Sequence, residues 1–202
     1  MWIIIAVMIR ALSFMVLVAM PVAAVAQIPP GDSYDPAKHV NPVITFVQAK
    51  EFRPTKFEEA EKDSTVTLMG ISKELGGLES VDEVPAGERK VASSRNPIHF
   101  YPVVRQTFKL AAGGTFDLYS FRAPEVPVPT LKQLMMDRDK PENRKRFGKY
   151  SAPEALTIRG KDGLLFERDG EITVVWEEEG ATYSLTARLP RRVLFRILDD
   201  LL

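Results

Sequence analysis

The chain contains no cysteine and only two histidines among its 202 residues. Without cysteine it forms no disulfides and offers no thiolate to a metal, so its stability has to come from a hydrophobic core. A zinc site needs three or four histidine, cysteine or carboxylate ligands at characteristic spacing, which the distant pair His39 and His99 does not supply. The sequence therefore predicts no metal site, and no motif in it indicates another cofactor.

The patterns of common enzyme sites are missing as well. No G-x-S-x-G elbow accompanies the histidines, since His39 falls in a proline-rich stretch and His99 in a predicted strand. The acidic run Glu177 to Glu179 lacks the loop pattern of a calcium site and is expected to be a solvated turn. Residues 160–163 lack the G-x-x-x-x-G-K-[ST] pattern that binds phosphate. We therefore predict that the protein is not an enzyme, with an unrecognised hydrolase as the least favoured alternative.

A surplus of one charge is absent too, because 27 Lys and Arg residues balance 27 Asp and Glu residues. Proteins that bind nucleic acid rely on a basic surplus that neutralises the phosphates. The balance therefore gives no electrostatic reason to expect nucleic acid as a partner.

What is present begins with an apolar N-terminus. Residues 1–26 are apolar apart from Arg10 and end in the small-x-small pattern that signal peptidase accepts. They predict a signal peptide that is removed before Gln27, and hence a periplasmic or extracellular protein. Met8 competes with Met1 as the true start, because a basic region normally precedes the apolar run. The alternative is an uncleaved segment that tethers the protein to the membrane, since the run is long enough to cross ~30 Å of hydrocarbon.

The proline-rich residues 27–42 bury too little apolar surface to fold alone and predict a spacer. Residues 43–202 are expected to form a single α+β domain, within the usual ~100–200 residues. The first part of this domain predicts a strand at 43–52, a short helix at 54–63, a strand at 64–72 with a loop at Gly76-Gly77, and a turn-rich stretch at 81–93.

The middle of the chain predicts a hairpin followed by a helix. Two strands, 98–110 and 115–123, flank a turn at 111–114. The second strand has apolar side chains on both faces, which indicates that both faces are covered. The helix is indicated by a capping box at Thr130 and Gln133, an apolar stripe of Leu131, Leu134 and Met135, and a stop at Pro141.

The last quarter alternates strands with short glycine-containing turns, the pattern of an antiparallel meander. The predicted strands are 155–159, 164–168, 171–177 and 182–189. A terminal helix begins near Pro190 and is expected to pack on the sheet through Val193, Leu194, Ile197, Leu198 and Leu201.

Two groups of residues are candidates for binding. The candidate lining of an apolar ligand pocket is Phe108, Phe116, Leu134 and Met135. A candidate contact with an anionic surface is the basic cluster Lys140, Arg144, Lys145, Arg146 and Lys149. At a membrane each basic residue is worth ~1 kcal/mol, and a merely solvated loop is the alternative.

The C-terminal pattern carries a family resemblance. A hydrophobic strand ends in Trp176, an acidic turn contains Gly180, Tyr183-x-Leu185 follows, and a helix comes last. This pattern, W-x-x-x-G-x-x-Y-x-L plus a helix, resembles an extracytoplasmic domain of unknown function. That domain is found in the outer regions of bacterial anti-sigma factors and in lipoprotein-carrier-like proteins. The resemblance covers about residues 98–202 and is most specific toward the C-terminal end.

The resemblance implies a curved antiparallel β-sheet with a few helices packed on one face, similar to the lipoprotein-carrier fold, in which the motif residues are structural. With the signal peptide, it favours an exported, non-enzymatic binding or sensing module of the bacterial envelope that holds an apolar ligand, such as a lipid, or an envelope protein. The alternative is a structural or assembly factor that acts through its surface. The oligomeric state and the partner's identity are left open by the sequence.

Overall fold

The structure is a computed structural model that describes residues 51–89, 98–122 and 127–202, with the backbone alone described at 88–89 and 98–100. The predicted signal peptide, the spacer with His39, and all but two residues of the strand at 43–52 lie outside the described residues.

The described residues form an eight-stranded antiparallel sheet, a small two-stranded sheet and four helices, so the predicted α+β class is confirmed. The strands are β1 (Arg53–Pro54), β2 (Gly76–Val84), β3 (Gly87–Arg89), β4 (Ile98–Phe100), β5 (Val103–Leu110), β6 (Thr115–Phe121), β7 (Glu154–Ile158), β8 (Lys161–Arg168), β9 (Glu171–Glu178) and β10 (Ala181–Ala187). The helices are α1 (Phe57–Ser64), α2 (Val128–Met136), α3 (Pro141–Phe147) and α4 (Arg191–Asp200). The large sheet has the order β1-β2-β5-β6-β10-β9-β8-β7, and β3 pairs with β4.

The predicted meander is confirmed as β7 to β10, with each strand antiparallel to the next. Its three turns share one geometry, in which a residue with φ near 50° precedes a glycine: Arg159-Gly160, Asp169-Gly170 and Glu179-Gly180. Two successive positive φ angles define the type I′ turn, whose twist matches that of the flanking strands. The first turn is shorter than predicted, because β8 already begins at Lys161.

The first half of the sheet differs from its prediction in two places. The strand predicted at 98–110 is divided into β4 and β5, and Pro102, which cannot donate a backbone hydrogen bond, lies at the break. The stretch predicted as a glycine loop followed by turns instead contains β2, which pairs with β5 along nearly its whole length. The hairpin turn at 111–114 is confirmed between β5 and β6.

The helices differ mainly at their ends. The predicted α1 and α4 are confirmed, but α2 begins at Val128, so Thr130 lies inside the helix and the capping box is wrong. Pro141 does not end a helix, since it begins α3, which the sequence analysis did not predict. Proline is favourable in the first turn of a helix, because backbone N–H groups there have no hydrogen-bond partner within the helix.

Both faces of the large sheet are covered, and each face carries its own hydrophobic cluster. The first cluster includes Phe108, Phe116, Trp176 and Tyr183 together with buried residues of α1 and α4. The second cluster includes Tyr119, Phe166 and Val175 together with buried residues of α2 and α3. Alternate residues of a strand point to opposite faces, which accounts for the division. The prediction of helices on one face is therefore corrected to two helices on each.

An irregular segment, residues 65–72, covers part of the first cluster. The strand predicted at 64–72 is wrong, because Ser64 ends α1 and the residues after it form no strand, although Val66, Leu68 and Met69 are buried as a strand's apolar residues would be. Side chains satisfy its backbone instead. Gln106 Nε2 donates to Met69 O at 2.8 Å and Gln106 Oε1 accepts from Met69 N at 3.3 Å, while Tyr183 Oη donates to Thr67 O at 2.9 Å.

Replacing Gln106 with methionine keeps the side-chain volume but removes both hydrogen bonds to Met69. Gln106 is fully buried, so the Met69 N–H and C=O lose their partners away from water. An unpaired buried polar group costs about 1–3 kcal/mol, and we expect the free energy of unfolding to fall by about 2–4 kcal/mol. Urea denaturation measures it.

The matched control is Lys109→Met, an equally apolar replacement at an exposed position of the same strand. It should change stability by no more than about 0.5 kcal/mol. Equal losses in the two variants would contradict the role assigned to the Gln106 amide.

Candidate functional site

The four residues predicted to line an apolar pocket are divided between the two faces of the sheet. Phe108 and Phe116 lie opposite each other on β5 and β6, with stacked rings whose centroids are 4.8 Å apart, and they belong to the first cluster. Met135 is fully buried in the second cluster, where Leu134 packs against it half-exposed. The structure therefore does not bring the four side chains together, and the binding of an apolar ligand stays a prediction.

The motif residues of the family resemblance lie in the core. Trp176 and Tyr183 are directly opposite in the β9–β10 pairing, and their rings stack with centroids 5.4 Å apart. Trp176, Tyr183 and Leu185 are buried, while Gly180 adopts the positive φ of the hairpin turn. These positions specify packing and a turn, as the resemblance implies.

The acidic run of the β9–β10 hairpin has internal contacts. Glu177 Oε1 accepts a hydrogen bond from the backbone N–H of Val128 at 3.1 Å, in the first turn of α2. Glu178 pairs with Arg159 across the neighbouring hairpin at 3.1 Å. Only Glu179 is exposed, so the expectation of a solvated turn holds for one of the three residues. Carboxylates at a helix N-terminus are stabilising because the backbone N–H groups there lack partners.

A polar cluster lies on the same sheet face as the second hydrophobic cluster. Its members are Asp82, Arg105, Thr107, Asp117, Tyr119 and Glu171. Arg105 Nη2 lies 2.9 Å from Asp82 Oδ2, directly across the β2–β5 pairing, and its guanidinium stacks 4.7 Å from the ring centroid of Phe52. The side chains of Arg105 and Asp82 are 26% and 12% exposed, so removal of either would leave a poorly solvated charge. The pair thus stabilises the pairing of β2 with β5.

Titration within this cluster follows from burial. Burial raises the pKa of Tyr119, and the charge of Asp117 raises it further. Burial also raises the pKa of Glu171, against the opposing effect of Arg188, whose Nε lies 3.5 Å from the carboxylate. Thr107 Oγ1 donates to Asp117 Oδ1 at 2.7 Å. The groups pair with one another across strands, an arrangement that holds the sheet together.

The predicted basic cluster contains three kinds of residue. Lys140 pairs with Asp137 at 2.8 Å, and hydrogen bonds from Lys140 and Gln133 hold the pKa of Asp137 below its usual range. Arg146 is half-buried, with its guanidinium 4.9 Å from the ring centroid of Phe147. The remaining three, Arg144, Lys145 and Lys149, are exposed and form no ion pair with any described residue. These three are named the basic surface.

The sequence patterns did not predict the polar cluster or the hydrogen bonds between Gln106 and Met69. The alternation of β5 places Arg105 and Thr107 on one face and Gln106 on the other, a signal that is visible in the sequence. The partner of Thr107, Asp117, lies on the neighbouring strand of the predicted hairpin. The partners of Arg105 and Gln106 were not visible, because β2 was not predicted and residues 64–72 were predicted to be a strand. His99 lies in β4 opposite Glu88, in the strand that was predicted for it.

Two kinds of feature are absent from the described residues. No group of three or more His, Cys, Asp or Glu residues there is arranged to hold a metal ion. In the same ranges no helix has both the length and the apolar character needed to cross a membrane.

Comparison with known proteins gives one match. Residues 130–201 match the family model described as Domain of unknown function (DUF4367). The matched segment runs from α2 to Leu201, just over a third of the chain, and contains Trp176, Gly180, Tyr183 and Leu185. The resemblance of this segment to a domain of unknown function is confirmed. No curated protein and no solved structure matches the chain.

Replacing Glu171 with glutamine should change how stability depends on pH. The pKa of Glu171 is raised in the folded protein, mainly by burial, so folding favours the protonated form. The stability associated with that proton is present below the carboxyl's unfolded pKa and is lost as pH rises through the folded one. We therefore expect the stability of the natural chain, relative to Glu171→Gln, to decrease from acid to neutral pH.

The measurement is urea denaturation of both proteins over that pH range. A matched comparison is Glu142→Gln, at an exposed position of α3, which should show no such trend. If the relative stability of the natural chain instead rose with pH, the ion pair with Arg188 would outweigh burial and the assignment would be wrong.

Proposed function

We propose that this protein is an exported, non-enzymatic binding or sensing module of the bacterial envelope that engages its partner through its outer surface. The observation that carries the proposal is the closure of both sheet faces. Phe108 and Phe116 are 1% and 2% exposed and Met135 is 0% exposed, each within a packed cluster. An apolar ligand held between sheet and helices would have to displace such contacts, which interiors packed to crystal density resist.

The envelope assignment is supported by two sequence features. The N-terminal apolar segment has the pattern of a secretory signal, and the match at residues 130–201 contains the motif that resembles the extracytoplasmic domain of anti-sigma factors and lipoprotein-carrier-like proteins. Because the motif residues are buried in the core, the resemblance to that domain bears on the fold and not on the activity. The activity has to be assigned from the surface.

The carrier form of this function, with an apolar ligand inside the domain, is the second candidate. It needs a cavity beside α2, where Leu134 is the half-exposed member of the predicted lining. Opening that side would separate Met135 and Leu131, both fully buried, from the sheet. The surface-acting form needs no such rearrangement and is therefore preferred.

Native mass spectrometry of the protein, isolated gently from the envelope fraction of its own host, tests the proposal. We expect a chain that begins at Gln27 and holds no lipid-sized adduct inside the domain, because the four predicted lining residues lie in two clusters on opposite faces of the sheet. A mass that retains residues from Met1 or Met8 would support the membrane-tethered alternative instead.

An adduct that survives gentle activation would contradict the surface-acting form only if it is bound inside the domain. Its place would then be tested with Met135→Trp, which fills space in the second cluster, against Met136→Trp at the exposed neighbouring position. Loss of the adduct from the first variant alone would establish an internal ligand.

A further inference from the structure

We propose that the partner of this surface is an anionic lipid bilayer, which contacts Arg144, Lys145, Lys149 and the neighbouring Met136. The inference rests on the proposed surface-acting function and names the chemistry of its partner. Its starting point is a local asymmetry of charge. Residues 132–149 contain seven basic and three acidic residues, while the rest of the chain has an acidic surplus that restores the overall balance.

The basic surface is presented by a fixed corner between two helices. Phe147 is 2% exposed and anchors α3 in the second cluster, on the same sheet face as α2. The turn between the helices is closed by hydrogen bonds: Asn143 Nδ2 donates to Asp137 O at 3.2 Å, and Arg144 N donates to Lys140 O at 2.8 Å. The cations therefore extend from an ordered backbone and do not need to be ordered by the partner.

These cations are available for an external anion. Several other arginines of the described structure have carboxylate partners; for example, Arg105 has Asp82, Arg159 has Glu178 and Arg191 has Glu154. The residues of the basic surface form no such pair among the described residues. Binding an anion there breaks no internal ion pair that is described.

The apolar component of the corner favours a bilayer over an acidic protein. Met136, the last residue of α2, is 58% exposed, whereas its neighbour Met135 is completely buried. Met136 precedes Asp137, whose carbonyl oxygen accepts a hydrogen bond from Asn143 of α3, so the apolar side chain belongs to the same helix corner as the cations. This combination matches the acyl and headgroup layers of a membrane surface. Hot spots of protein interfaces instead centre on Trp, Tyr and Arg in desolvated pockets, and the basic surface contributes a single arginine and no exposed aromatic ring.

The test is sedimentation with vesicles, using the protein as isolated from its host. Neutral vesicles are phosphatidylcholine, and anionic vesicles contain one third phosphatidylglycerol. The quantity compared is the ratio of the two partition coefficients, because any residual N-terminal apolar segment contributes to both. Each basic residue near an anionic surface adds about a factor of five, so we expect Arg144→Gln/Lys145→Gln/Lys149→Gln to lower the ratio at least about tenfold.

The matched control removes three exposed cations elsewhere: Lys73→Gln/Arg192→Gln/Arg196→Gln. Arg192 and Arg196 belong to α4, which covers the opposite face of the sheet. The control variant should keep the ratio of the natural chain, and high salt should abolish the preference of both proteins for anionic vesicles. An equal loss in the two triple variants would overturn the proposal, because net charge alone would then explain the binding.

A second variant tests the apolar contact without changing charge. Met136→Gln should lower the partition coefficient on anionic vesicles several-fold and leave the salt dependence unchanged. Circular dichroism of each variant checks that the fold is retained, as expected for exposed positions.

Failure of this inference is distinguishable from failure of the proposed function. If the natural chain showed no preference for anionic vesicles, the lipid partner would be wrong. The lipid partner would also be wrong if an acidic protein bound the natural chain and bound the basic-surface variant more weakly. The surface-acting function itself would be overturned only by an internal adduct in the native mass spectrum.

Discussion

The pairing of β10 with β6 is the constraint on which the rest of the structure depends. It joins β1, β2, β5 and β6 to the C-terminal meander, and it does so between strands far apart in the chain. Every residue of β10 is buried, and its apolar side chains carry the first hydrophobic cluster across this junction. The segment that matches the domain of unknown function lies on one side of it. That segment supplies α4 and the Trp176–Tyr183 pair, and the strands before it supply the stacked Phe108 and Phe116, so neither part completes the first cluster alone.

Closure of the first cluster depends on a segment without regular structure. An apolar strand in residues 65–72 would need a partner strand. The segment lies over a face of the sheet, where it meets side chains and no free strand edge. Gln106 and Tyr183 therefore provide the hydrogen bonds that a neighbouring strand would have made. Gly70 and Leu202 also exchange backbone hydrogen bonds, at 3.5 and 3.0 Å, which attach the segment to the residues after α4. Buried backbone groups need such partners wherever the strand pattern is abandoned.

The sequence predicted elements that depend on local interactions better than elements that depend on contacts between distant residues. The type I′ turns are local, so Asp169-Gly170 and Glu179-Gly180 identified the meander correctly. The terminal helix was equally visible from its apolar stripe.

Strand β2 was missed because Gly76, Gly77 and several acidic residues lower its β-propensity, and its stability comes from pairing with β5. Helix α3 was missed because PENRKRF has one apolar residue, Phe147, and a single anchor gives no period. The four residues predicted to line a pocket lie in two clusters for a related reason, since Phe108 and Met135 pack on opposite faces of the sheet and helix packing on both faces was not predicted.

Paired and unpaired charges have different relations to the fold. Arg105 is enclosed by the fold together with Asp82 and Phe52, and its removal would lower the free energy of unfolding. The basic surface has no comparable role inside the described structure. The macrodipole of α3 accounts for part of it, because cations in a last turn gain about 0.3–1 kcal/mol each, and Arg144 and Lys145 lie there. It does not account for Lys149, which lies beyond the helix, or for the exposure of Met136 next to a fully buried methionine. The proposed bilayer contact would account for both, because a bilayer attracts the cation and solvates the apolar side chain.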